Sequence, residues 1–167
     1  MKKIVFSYLL ISLELLSCSK NSDADFQIAS PFKAMKDNTV WLSTSSWANF
    51  NQKDSTFTLV ADKHDKTYYQ DEQVSLAFKS SAIQASGEVK KFGSTWEFII
   101  GGDAISDSYT IDLSFDNQLK ITKIDAENKT ITGTFAVRLI RDASRSSKGE
   151  TFLFKSGQFS LPYKEVN

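Results

Sequence analysis

From Phe32 onward, apolar residues recur at every second position rather than every third or fourth. In "YTIDLSF", Tyr109, Ile111, Leu113 and Phe115 alternate with Thr110, Asp112 and Ser114. "TITGTFAVRL" places Ile131, Gly133, Phe135, Val137 and Leu139 on one side and Thr130, Thr132, Thr134 and Arg138 on the other. Val74, Leu76 and Phe78 repeat the device, as do Phe57, Leu59 and Ala61, and Trp96, Phe98 and Ile100. A period of two puts successive side chains on opposite faces of a strand, one toward a core and one toward water. That is the habit of antiparallel sheets.

The residues between these runs are turn formers. Asp37-Asn38 separates two apolar segments and tolerates positive φ, so a two-residue hairpin is expected there. Asp125 to Lys129 reads as a longer hairpin loop, and Gly93-Ser94, Gly101-Gly102 and Ser156-Gly157 as further turns or bends. The stretch Ala82 to Gly87 has room for one short helical turn, and no longer window keeps a helical period. The expectation is an all-β domain of about nine or ten strands, either an antiparallel β-sandwich or a calycin- or lipocalin-like barrel.

Composition narrows the class. With 167 residues, 41% apolar and 13 phenylalanines, the chain suffices for one domain with a substantial core. Lys plus Arg equal Asp plus Glu at 20 each, which removes the basic stripe that a nucleic-acid partner requires. A single cysteine, Cys18, excludes an internal disulfide and a thiolate zinc site.

That cysteine ends an apolar run. Lys2 and Lys3 precede "IVFSYLLISL", which has the length of a signal-peptide core and is too short to span a bilayer. The following "LLSC" (Leu15, Leu16, Ser17, Cys18) resembles the bacterial lipobox. The resemblance implies cleavage between Ser17 and Cys18 and diacylglyceryl and palmitate-type acyl chains on Cys18. A cleaved secretory signal and an uncleaved anchor are the alternatives. The organisation expected is a lipoprotein signal peptide over 1–17, a polar tether over 18–31 and one β domain over 32–167. Acyl chains hold a soluble domain on a membrane at about 0.8 kcal/mol per buried CH₂, without a spanning helix.

The second half carries a wider likeness. Thr122 to Asp125, Asn128 to Thr130, Gly133 to Phe135, and Gly157, Phe159 and Tyr163 form a spaced pattern. It resembles the C-terminal part of a family of small uncharacterised all-β lipoproteins of Bacteroidetes, and Trp41 in "TVWLS" is similar to the tryptophan of that family's first hairpin. The resemblance implies an outer-membrane lipoprotein with its domain on the periplasmic or surface face, and it carries no catalytic residue across. Each matched residue also has a plain structural use: glycine at a bulge or close crossing, Asp and Asn in a turn, phenylalanine in a core.

Candidate chemistry is sparse. His64, the only histidine, stands beside Asp62 and Asp65, but one imidazole with two acids is a poor set for a transition metal. No Gly-x-Ser-x-Gly elbow is present for a Ser-His-Asp arrangement. Trp41, Trp47 and Trp96, with Tyr68 and Tyr69, are candidates for stacking on a sugar or lining an apolar cavity, against the plainer reading as core or edge residues. The segment Arg141 to Glu150 reads as a locally basic loop. Asp54-Ser55-Thr56 resembles the short acceptor motif for O-glycosylation in Bacteroidetes, which would place sugar on Ser55.

These readings imply no catalytic residues, metal or cofactor. The expected function is a non-enzymatic binding or structural role at the cell envelope, with the membrane as partner through the lipid. A lipocalin-like carrier of an apolar or sugar ligand inside a barrel is the alternative. A hydrolase is the third.

Overall fold

The computed structural model describes residues 30–101, 104–144 and 148–167. Cys18, Ser17 and the first 29 residues lie outside the described residues. Ten strands are present among those described: β1 (Phe32–Lys36), β2 (Thr39–Leu42), β3 (Ser45–Asn51), β4 (Thr56–Asp65), β5 (Gln70–Lys79), β6 (Gly93–Ile100), β7 (Ala104–Ile111), β8 (Gln118–Asp125), β9 (Thr130–Ser144) and β10 (Thr151–Val166). One short 3-10 turn, Ser80–Ala82, breaks the series.

The pairings run β10-β3-β4-β5-β6-β7-β9 and return to β10, so seven strands close a ring. Two long strands make closure work. On one edge of β9, the N-terminal half pairs with β8 and the C-terminal half with β7. On one edge of β10, the first half pairs with β1 and the last four residues with β3. The β1-β2 hairpin and β8 are thus attached to the ring without being part of it. All neighbours are antiparallel except one: Tyr163 to Val166 run parallel to Ala48 to Asn51, which corrects the purely antiparallel expectation. A chain closing a ring end to end meets its first ring strand in whichever direction the strand count dictates.

Alternation selects the interior. Leu59, Ala61, Val74, Leu76, Ile131, Val137, Leu139, Phe154 and Leu161 are fully buried, beside the aromatics Phe32, Trp41, Trp96 and Tyr109. Phe57 stacks on Phe78, and Tyr163 meets Phe57 edge-on. Aromatic rings meet across the interior, Phe32 against Phe135 at 5.0 Å and Trp41 against Phe154 at 5.9 Å between centroids, so packed side chains fill the ring.

Four local expectations shift. Leu113 and Phe115 fall beyond the end of β7, in the loop before β8, because Asp112 and Ser114 form an Asx turn instead of extending the strand. Gly93 and Ser94 belong to β6, with the Ser94 hydroxyl donating to the Ser75 carbonyl. Ser156-Gly157 is a bulge within a continuous β10, Ser156 standing at φ 53°. Arg141 lies in β9, not in a loop. The Asp37-Asn38 turn has the positive φ values, 47° and 68°, that its residue types favour.

Candidate functional site

The polar arrangement nearest the core centres on Glu72 of β5. Its position in the alternation, two residues before Val74, turns it toward the interior. Trp41 of β2 and Trp96 of β6 each donate an indole N–H to Oε2, at 3.0 and 3.1 Å. Lys36, the last residue of β1, donates to the same oxygen at 2.5 Å. The Lys36 ammonium also lies over the rings of Trp96 and Phe152, at 4.2 and 4.8 Å from their centroids. On the outer side, Lys63 stands 3.9 Å from Oε1. Burial lowers the Lys36 pKa below 10.5, and the Glu72 carboxylate offsets only part of that penalty.

Residues of β1, β2 and β6 are thereby tied to one oxygen of β5, although the β1-β2 hairpin shares no ladder with β5 or β6. All three donors converge on Oε2, while Oε1 faces Lys63. Chemically the cluster anchors the β1-β2 hairpin over the end of the ring, above a small hollow of about 260 Å³ between β2 and Lys63.

Behind Trp96, Tyr109 is fully buried and donates its hydroxyl to the Gly149 carbonyl at 2.5 Å. Burial, with Asp107 nearby, raises its pKa above 10. Asp107 is itself buried; Ser106 donates to its Oδ2, and its Oδ1 has no hydrogen-bond partner among the described residues. Lys148 sits 3.7 Å over the Phe98 ring, and Arg141 donates to the Lys148 carbonyl. Arg141 and Lys148 are therefore held together at the ring end.

The three candidate tryptophans separate. Trp41 and Trp96 converge on Glu72 as core residues, whereas Trp47 points outward from β3 and is 39% exposed. Tyr68 and Tyr69 are exposed at the β4-β5 turn. His64 does not join Asp62: its Nδ1 lies 2.9 Å from Asp71 across the β4-β5 ladder, while Asp62 accepts from Gln73 and Ser45. Ser55 sits in the β3-β4 turn at φ 55°, its carbonyl accepting from the Ser80 N–H.

Sequence reasoning missed a second feature. At another edge of the ring, Phe78, Phe92, Ile111, Leu113 and Phe115 line an open groove of about 720 Å³. Leu113 is 86% exposed. The loop holding it is tightly braced. Asp112 accepts from the Ser114 hydroxyl and N–H and from Arg138 Nε, at 2.7, 2.9 and 2.8 Å. Those bonds, Ser114 first, hold its carboxyl below the usual carboxylate range. Asn117 bonds the Asp112 carbonyl and the Arg138 N–H, and the Arg138 guanidinium stacks on Phe115 at 4.7 Å. The signal existed in the alternation of Leu113 and Phe115, but it read as strand and core rather than as a presented surface.

Comparison with known protein families, with curated proteins and with solved structures finds no match to this chain.

Proposed function

We propose that this chain is a cell-envelope lipoprotein, held on the outer membrane through Cys18, whose β domain is a non-enzymatic binding module. The address rests on the Lys2-Lys3, apolar core and Leu-Leu-Ser-Cys sequence. The binding role rests on one observation above all. The ring interior is filled by side chains and its inward carboxylate, Glu72, is occupied by Lys36 and two indoles, while a braced apolar groove stands open on the outside. A filled interior also weighs against carriage of a ligand within the ring.

Fractionation of cells expressing Cys18→Ala tests the anchor. The variant is expected to lose lipid labelling and to leave the membrane fraction. Membrane association equal to that of the unaltered chain overturns the assignment.

A further inference from the structure

The open groove combines two chemistries. Its floor is aromatic and aliphatic: Phe78 is buried, Phe92, Ile111 and Phe115 are half-buried, and Leu113 stands up at the lip. Its rim carries Lys79, Lys90 and Lys91, all exposed, and none of their three ammonium groups has an ion pair or hydrogen bond among the described residues. The one carboxylate on the rim, Asp116, accepts from Gln118. Three uncommitted ammonium groups around an apolar trough form a surface complementary to a molecule with an apolar tail and an anionic head.

The groove is also built rather than accidental. An exposed leucine on a slack loop would fold back on the protein. Here the Asp112-Ser114-Asn117-Arg138 network fixes the loop, and Arg138 on Phe115 fixes the wall. A preformed apolar surface costs a ligand little ordering on arrival.

We infer that this groove binds a free single-chain anionic amphiphile, its acyl tail along Phe78, Phe92 and Leu113 and its acidic head between Lys79, Lys90 and Lys91. The inference rests on the reading of the domain as a binding module. It does not depend on the lipid anchor, so the two fail separately.

The test uses the full chain carrying Cys18→Ala, which removes any acyl group of its own as a competitor. Dodecanoate, below its micelle concentration, is titrated against it by calorimetry, with dodecyl maltoside as the neutral-headed control and phosphatidylglycerol vesicles as a membrane arm. Saturable one-to-one binding of dodecanoate is expected, at least tenfold weaker for the maltoside. Leu113→Glu is expected to weaken it tenfold or more, as is the double change Lys90→Glu with Lys91→Glu; all these residues except the floor are exposed, so folding is checked by circular dichroism. Absence of saturable dodecanoate binding, equal binding of the maltoside, binding to vesicles alone, or binding unchanged in both folded variants overturns the proposal.

Discussion

The ring of Phe159 lies flat against the backbone of Gly133, its partner across the β9-β10 ladder, where an added Cβ would sit 2.5 Å from Cζ. The relation is reciprocal. Two pairs along, Phe135 covers Gly157, and a Cβ there would stand 2.5 Å from its Cδ1. Each glycine gives a phenylalanine room to lie over the ladder, and both rings then reach Phe32 of β1. The hairpin β1-β2 is therefore seated on aromatic surface that exists only because β9 and β10 lack side chains at two positions.

Replacing Gly133 by Ala is expected to destabilise the domain by about 2–3 kcal/mol, in the range for overpacking a closed interior. The Lys120 carbonyl also closes on that site, so neither neighbour yields cheaply. Gly101→Ala, whose Cβ meets nothing within 4 Å but whose φ is 68°, separates clash from backbone strain and is expected to cost only about 1 kcal/mol. Urea unfolding of the three chains measures both. Equal losses would contradict the packing account.

The Glu72 cluster yields a coupled prediction. Glu72→Gln keeps the shape but turns an amide toward Lys36 and leaves that half-buried ammonium without its counter-charge. A loss of about 2 kcal/mol is expected, less than for a fully buried pair because both side chains keep 18% exposure. Adding Lys36→Met to Glu72→Gln should recover part of that loss, since the uncompensated charge is gone. Additive losses in the double variant would show that the two residues act independently.

Much of this fold was legible in the alternation. Phe57 to Ala61, Val74 to Phe78 and Ile131 to Leu139 lie inward as their spacing demands, and Asp37-Asn38 turns as its residue types require. What the pattern did not carry is long-range. Lys36 and Glu72 are 36 positions apart and meet because a hairpin attached to β10 crosses above β5 and β6. Likewise Leu113 and Phe115 continue a period of two after their strand has ended, since one Asx turn at Asp112 outweighs two more residues of alternation. Period reports which residues are apolar; it does not report whether a partner strand arrives to cover them.

The tryptophans provide an optical check. Trp41 and Trp96 are each 1% exposed and hydrogen-bonded to a carboxylate, whereas Trp47 is open to solvent. Acrylamide is expected to quench one emitting population out of two, the red-shifted one. Trp47→Phe should abolish that population with a stability change within about 0.5 kcal/mol, the usual range for a surface substitution. Quenching that persists in Trp47→Phe would place Trp41 or Trp96 in contact with solvent.

The β8-β9 turn sets the response to acid. Asp125 Oδ1 accepts the Asn128 N–H at 2.9 Å, and Oδ2 accepts Asn128 Nδ2 at 3.1 Å and Lys123 Nζ at 2.8 Å. The Asn128 amide is the largest influence, then the Lys123 ammonium, and together they hold the Asp125 carboxyl far below the usual carboxylate range. A carboxyl whose folded pKa lies below its unfolded value binds fewer protons folded than unfolded in the interval between them. Stability from it is therefore complete above the unfolded pKa of about 3.9, and is lost as pH falls below that value toward the folded one. Asp112, lowered by Ser114 and Arg138, works in the same direction. Asp125→Ala is expected to be less stable than the unaltered chain at pH 7 and to lose less on acidification, so that the two urea midpoints converge below pH 4. Parallel curves from pH 7 to pH 2 would show that the turn holds no charge-dependent stability, and that Asn128 and Lys123 bind Asp125 no better ionised than protonated.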